Sequence, residues 1–205
     1  MTDELVIPNH HHDYPGFAGL GGLVAALSMV GRGGDARWAA TLARLQAGDA
    51  VVDIGCGPGT AARYAARRGA TVTGVDPAKV MLRMARVLTR SRRARYQPGS
   101  AEQLPIADAS ATVVWSIASV HHWRDLDAAL REVRRVLRPS GRFVAIEKAT
   151  RRDASGLSSH GWTDEQAAAF AQRCIDAGFE TVRTERDEAG SRGRTLVAVV
   201  ANLAS

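Results

Sequence analysis

The sequence predicts an α/β protein built on a mostly parallel sheet with helices on both faces. Three observations carry this. Apolar runs of strand length alternate with amphipathic helical patterns from residue 50 onward. The run V-V-D-I at 51–54 leads straight into G-C-G-P-G-T at 55–60, and helical residues follow at once. A second apolar run, 71–75, closes on an acid, Asp76. A buried strand, a loop free of side-chain bulk and a helix make a binding turn at the carboxyl end of a parallel strand. The N–H groups at such a helix start favour a carboxylate or a phosphate.

The 205 residues suit one domain with an ample core, and 45% apolar with 23% charged residues is ordinary for a globular chain. Cys56 and Cys174 stand far apart and form no metal-ligand pair. Neither a disulfide nor zinc is predicted, and a reducing cytoplasm is the simplest setting. The net charge of +6 comes almost wholly from arginine, because Lys79 and Lys148 are the lysines. That bias fits a GC-rich genome, and the densest cluster, Arg90, Arg92, Arg93 and Arg95, reads as a solvated helix end and loop. The apolar stretch 17–31 is too short for a membrane span, and no basic export signal precedes it.

Residues 1–34 carry no strand pattern and are expected to form an N-terminal arm or lid helix, leaving 35–205 as the main domain. His10, His11 and His12 are consecutive, so they cannot share a helix face, and no metal site is predicted. Asp35 is a candidate N-cap for a helix with Trp38, Leu42 and Leu45 on one stripe, ended by Gly48. Strand 50–54, helix 60–68 stopped by Gly69, and strand 71–75 follow. Pro77 suits the first turn of the next helix, whose stripe is Val80, Met81, Met84, Val87 and Leu88.

The spacing at 55–59 is G-x-G-x-G, with Asp53 two residues ahead and no Gly-Lys-Ser/Thr behind it. Asp53, this loop and Asp76 together resemble motif I of the class I S-adenosylmethionine (SAM)-dependent methyltransferases. Two later segments are similar to the broad small-molecule branch of that family, which contains the quinone-biosynthesis C-methyltransferases. One is G-S-A-E-Q-L-P-I at 99–106, where Ser100 stands in place of the usual acid. The other is A-A-L-R-E-V-R-R-V-L-R-P-S-G-R-F-V at 128–144. The resemblance runs from about residue 50 to the C-terminus. It implies a Rossmann-like, doubly wound, three-layer α/β/α fold with seven strands, the last antiparallel.

The remaining elements read in order. Residues 94–97 are a weak third strand, and 111–117 a central strand buried on both faces. Asp125 caps a helix with Leu126, Ala129, Leu130, Val133, Val136 and Leu137 on its stripe, ended by Pro139 and Gly141. Strand 142–147 follows, then a polar linker at 149–161. Thr163 and Gln166 fit a capping box for a helix facing the sheet with Ala167, Phe170, Ala171 and Cys174. Runs 179–184 and 195–201 read as an antiparallel pair.

The family resemblance implies site residues one by one. Gly55, Cys56 and Gly57 line the methionine half of SAM, Asp53 orients its amino group, and Asp76 holds the ribose hydroxyls. Pro77 and Met81 flank the adenine, and Ser100, Ala101 and Glu102 edge it. Ser116 and Ile117 lie beneath the sulfur. The product is S-adenosylhomocysteine, and no metal is required. His121 and His122, beyond the fourth strand, are candidate general bases because imidazole titrates near neutrality, and Glu147 is a weaker one. The expected function is methyl transfer to a small-molecule acceptor, with Tyr14, Phe17, Leu20 and Leu23 hinting at an apolar or aromatic one. A nucleic-acid methyltransferase and a non-catalytic SAM-binding module are the alternatives. Against the first, the end of the fourth strand lacks the Asn/Asp-Pro-Pro-Tyr/Phe and Pro-Cys boxes of nucleic-acid enzymes. Oligomeric state is not predicted.

Overall fold

The computed structural model describes residues 33–152, 154, 160–188, 190 and 193–204. The expected N-terminal arm, with His10, His11, His12, Tyr14, Phe17, Leu20 and Leu23, lies outside the described residues. In chain order the elements are α1 (Gly33–Leu42), β1 (Ala50–Ile54), α2 (Thr60–Arg67), β2 (Thr71–Asp76), α3 (Lys79–Leu88), β3 (Ala94–Pro98), β4 (Ala111–Ile117), α4 (Leu126–Val136), β5 (Leu137–Lys148), α5 (Asp164–Asp176), β6 (Thr181–Asp187) and β7 (Leu196–Asn202).

The seven strands form one sheet in the order β3-β2-β1-β4-β5-β7-β6. β1 to β5 pair in parallel, and β7 runs antiparallel between β5 and β6. The order reverses at β1, so β1 and β4 diverge to either side of a crevice at their carboxyl ends, where open α/β sheets bind ligands. One face of the sheet buries Val51, Val72, Val113, Trp115 and Val144 against alanines of α1 and α2 and against Leu82 and Ala85 of α3. The other buries Val52, Val114, Phe143 and Val199 against α4 and α5. This is the three-layer doubly wound architecture.

The helices explain themselves locally. Asp125 Oδ1 accepts from Ala128 N at 2.9 Å and caps α4. Thr163 and Gln166 close the expected capping box on α5, at 3.3 and 2.9 Å. Both sheet edges are charged. Arg95 is exposed on β3, and β6 carries Arg183 beside Glu185. Charges of this kind discourage edge-to-edge pairing.

Several boundaries and faces differ from the sequence reading. α1 begins at Gly33, so Asp35 lies inside its first turn rather than capping it. Asp35 is buried there, with Arg194 Nη2 at 3.7 Å. The buried stripe of α1 is Asp35, Ala36, Ala39 and Ala40, while Trp38 is half-buried, because small residues let the helix approach the sheet closely. Pro77 precedes α3, which starts at Lys79. On α3 the buried residues are Met81, Leu82 and Ala85, whereas Val87 is 78% exposed and Leu88 41%. The helix is rotated so that small Ala85 faces the core, beside Gly59 and Tyr96. α4 ends at Val136, ahead of Pro139 and Gly141, since Leu137 already pairs with Ala111 at the start of β5. Phe179 is a buried turn residue ahead of β6, its N–H donating to Cys174 O at 3.1 Å.

Candidate functional site

The carboxyl ends of β1, β2, β4 and β5 bring four chain segments to one edge of the sheet. β1 delivers Asp53, Ile54 and the glycine loop. Gly55, Gly57 and Gly59 all take left-handed φ values, 67°, 50° and 78°. A Cβ at Gly55 would collide with Ser119 Oγ, and one at Gly59 with the Tyr96 hydroxyl. The loop is laced to β2: Gly55 N and Cys56 N donate to Val75 O at 2.8 and 3.1 Å, and Gly57 N donates to Asp76 Oδ2 at 2.9 Å. Asp76 Oδ1 accepts from Ala78 N at 2.8 Å. This one carboxylate therefore fixes the middle of the glycine loop to the entry of α3. Burial raises the Asp76 carboxyl above its ordinary range, opposed by the Ala78 and Gly57 N–H groups.

Asp53 is 2% exposed, and its Oδ2 finds no hydrogen-bond partner among the described residues. It stands in register with Trp115 on β4. Burial pushes its carboxyl up to about 7; the Trp115 indole and Ala62 N–H groups oppose the shift at longer range, and the Asp76 charge adds to it. A buried acid with an empty lone pair is expensive unless a cation or donor completes it. Ser116, buried on β4 in register with Ile54, likewise has an Oγ without a partner. Cys56 is buried in the loop, and burial raises its thiol well above the usual range, so it is not poised as a nucleophile.

Met81 is buried in the first turn of α3, and Pro77 is exposed beside it. The segment 99–108 folds back from β3. Ser100 bridges to Gln103, and Ala101 is buried. Glu102 Oε1 accepts from Arg124 N at 2.7 Å and more weakly from Asp125 N at 3.4 Å, so that oxygen ties the loop to the start of α4. Burial alone would raise the Glu102 carboxyl, but these donors and Ser100 hold it below its ordinary range. The loop has a second anchor that the sequence reading missed. Glu132 Oε2 accepts from Leu104 N at 2.8 Å, and the Arg135 guanidinium donates to Leu104 O and Ile106 O at 3.1 and 2.8 Å. Arg135 is itself held by Glu132.

After β4 the chain turns sharply. Ile117 is half-buried, and Ala118 takes φ 52°, its N–H donating to Ile146 O at 2.7 Å. A single 3₁₀ turn, Val120–His122, follows. His121 is buried with Nδ1 2.8 Å from Glu147 Oε2. His122 is half-buried, its ring centroid 3.9 Å from that of His121. His160, from the stretch read as a linker, brings a third imidazole to 5.3 Å from His121. Trp123 packs against Phe143 and Phe170. Ser119 and His160 carried no signal in the sequence, for neither lies in a recognisable motif.

The polar groups at this edge have the donor and acceptor pattern of a nucleoside amino acid. Asp53 offers an acceptor to an ammonium, and Asp76 has lone pairs left for hydroxyls. Residues 52–145 match the family model described as a methyltransferase domain. Over that stretch the chain is similar to the class I SAM-dependent methyltransferases. Among its relatives, the methyltransferase GfsG of Streptomyces halstedii is 36% identical over 69% of this chain and 48% of its own length. The ubiquinone/menaquinone biosynthesis C-methyltransferase UbiE of Rubrivivax gelatinosus is 38% identical over 53% of this chain and 43% of its own. The chain thus spans about half the length of the curated relatives it matches. A SAM-dependent methyltransferase from Aquifex aeolicus superposes with a TM-score of 0.68 at 18% identity, covering 82% of this chain and 89% of that one, which is a likeness of fold. The cofactor of those enzymes carries an ammonium group, and the buried Asp53 oxygen that has no partner among the described residues is an acceptor suited to it.

Proposed function

We propose that this chain transfers the methyl group of SAM to a small-molecule acceptor. The observation that carries the reading is Asp53, a deeply buried carboxylate with an unsatisfied oxygen at the crest of β1, beside a glycine loop tied to Asp76. The bound cofactor supplies a methyl group on a sulfonium. Every other contribution belongs to the chain. Asp53 takes the ammonium of the amino-acid end, and Gly55, Cys56 and Gly57 line that end with backbone. Asp76 keeps the ribose, Pro77 and Met81 flank the adenine, and Ser100, Ala101 and Glu102 edge it. Ser116 and Ile117 floor the reacting centre. Holding the acceptor atom, the methyl carbon and the sulfur in line accounts for much of the rate enhancement in such displacements.

The UbiE relative, a ubiquinone/menaquinone biosynthesis C-methyltransferase by name, supports a small acceptor. Arg135, Arg142, Arg173 and Arg183 are each engaged by a carboxylate. Two free, buried cysteines fit a reducing cytoplasm, and among the described residues no helix is long and apolar enough to cross a membrane.

The test is SAM labelled in its methyl group, incubated with a panel of quinols, phenols, fatty acids and bulk RNA. The reading predicts label in a small molecule with stoichiometric S-adenosylhomocysteine, and a loss of about 100-fold or more in Asp53→Asn. Label in RNA, or cofactor binding with no turnover of any acceptor, contradicts it.

A further inference from the structure

The Glu147–His121 pair is buried at the carboxyl ends of β5 and the turn after β4. Glu147 is 1% exposed and lies one residue past the Ile117–Ile146 register pair. Its Oε1 accepts from Val120 N at 2.7 Å and weakly from His121 N at 3.4 Å. Its Oε2 lies 2.8 Å from His121 Nδ1. The backbone donors occupy one oxygen, so the carboxylate is fixed in place and the other oxygen faces the imidazole. An ionised carboxylate only accepts, so the proton of this bond sits on Nδ1, and the lone pair of the neutral ring is then at Nε2. An apolar residue would pack this position at lower desolvation cost. A buried acid that specifies a tautomer has a chemical use instead.

We infer that Glu147 is a positioning residue that holds His121 as the Nε2 base of the site, and that the acceptor is a phenol- or enol-type hydroxyl compound. This rests on the methyl-transfer reading above. A carboxylate or a neutral amine is already nucleophilic and needs no base before it attacks; a phenol or enol hydroxyl gains most from losing its proton. The hydroxyl proton passes to His121 Nε2. The acceptor oxygen forms its bond to the methyl carbon as the carbon–sulfur bond breaks. In an enolate the same electron pair also reaches the α-carbon, with the same proton count. The products are the methylated acceptor, the uncharged thioether and an imidazolium paired with Glu147, which returns its proton to water. His122 and His160 adjoin this ring, with centroids 3.9 and 5.3 Å away, and complete an imidazole-lined wall.

The variant Glu147→Gln gives a sharp test because it is nearly isosteric. Its amide oxygen still accepts from Val120 N, but its amide N–H donates to His121 Nδ1, and the ring is forced into the Nε2–H tautomer. Long-range ¹H–¹⁵N spectra of the full chain with S-adenosylhomocysteine bound are expected to show His121 protonated at Nδ1 in the wild type and at Nε2 in Glu147→Gln. On the acceptors found by the labelled-methyl screen, Glu147→Gln and His121→Gln lower kcat about 100-fold or more, with KM within a few-fold. A wild-type ring protonated at Nε2, an unchanged kcat in both variants, or turnover confined to carboxylate, amine or other acceptors that carry no phenol- or enol-type hydroxyl overturns the inference. Calorimetry with S-adenosylhomocysteine separates the two failures. Wild-type protein that binds it but shows the wrong tautomer defeats this inference alone, whereas protein that does not bind it defeats the methyl-transfer reading as well.

Discussion

At the residue scale, Asp53 trades stability for binding. Its carboxyl is raised from the ordinary range to about 7 by burial, so the folded, unliganded protein holds a proton that the unfolded chain has released above about pH 4. The unfolded state binds fewer protons across that window, and this group's contribution to stability declines as pH rises from about 4 through 7. Asp53→Asn removes the ionisation. We expect the unliganded variant to melt higher than wild type at pH 8, with the gap narrowing toward pH 5, while it loses cofactor binding; differential scanning calorimetry at the two pH values checks this. Gly55 is constrained in another way. Its φ of 67° and the abutting Ser119 leave no room for a methyl group. Gly55→Ala is expected to cost about 2 kcal/mol or more, from left-handed strain plus displacement of Ser119, read by denaturant unfolding. An unchanged midpoint would show that the turn tolerates a side chain.

At the element scale, the loop at 99–108 depends on a helix distant from it in sequence. Glu132 and Arg135 of α4 hold Leu104 and Ile106 through their backbone groups. Arg135→Ala is expected to speed amide exchange at Leu104 by about tenfold, the equivalent of losing one hydrogen bond's net contribution, with little change in the β4 amides. Equal acceleration everywhere would mean global destabilisation instead. The strands were legible in the sequence because apolar runs at 50–54 and 111–117 are bounded by turn residues on both sides. The helix faces were less so. On α3 either of two overlapping apolar stripes fits the 3.6-residue period, and only the small residue Ala85 against Tyr96 decides which one turns inward. The end of α4 was misread because Pro139 and Gly141 are strong breakers, yet pairing of Leu137 with Ala111 ends the helix sooner.

At the scale of the whole molecule, the sheet order gathers the site from residues far apart in the chain. Asp53, Asp76, Ser116 and Glu147 reach one edge because β1, β2, β4 and β5 run the same way. Motif spacing exposed the first half of that site, in which strand, loop and helix follow one another directly. The Glu147–His121 contact and the approach of His160 arise from strand register and from the path back toward α5, which no local pattern encodes. The most direct measurement is a calorimetric titration of the protein with S-adenosylhomocysteine between pH 5.5 and 8. The account predicts one site, with affinity constant above about pH 7 and falling about tenfold per unit below it, because Asp53 must lose its proton to meet the ammonium. No binding by well-folded protein, or an affinity indifferent to pH across that range, would contradict it.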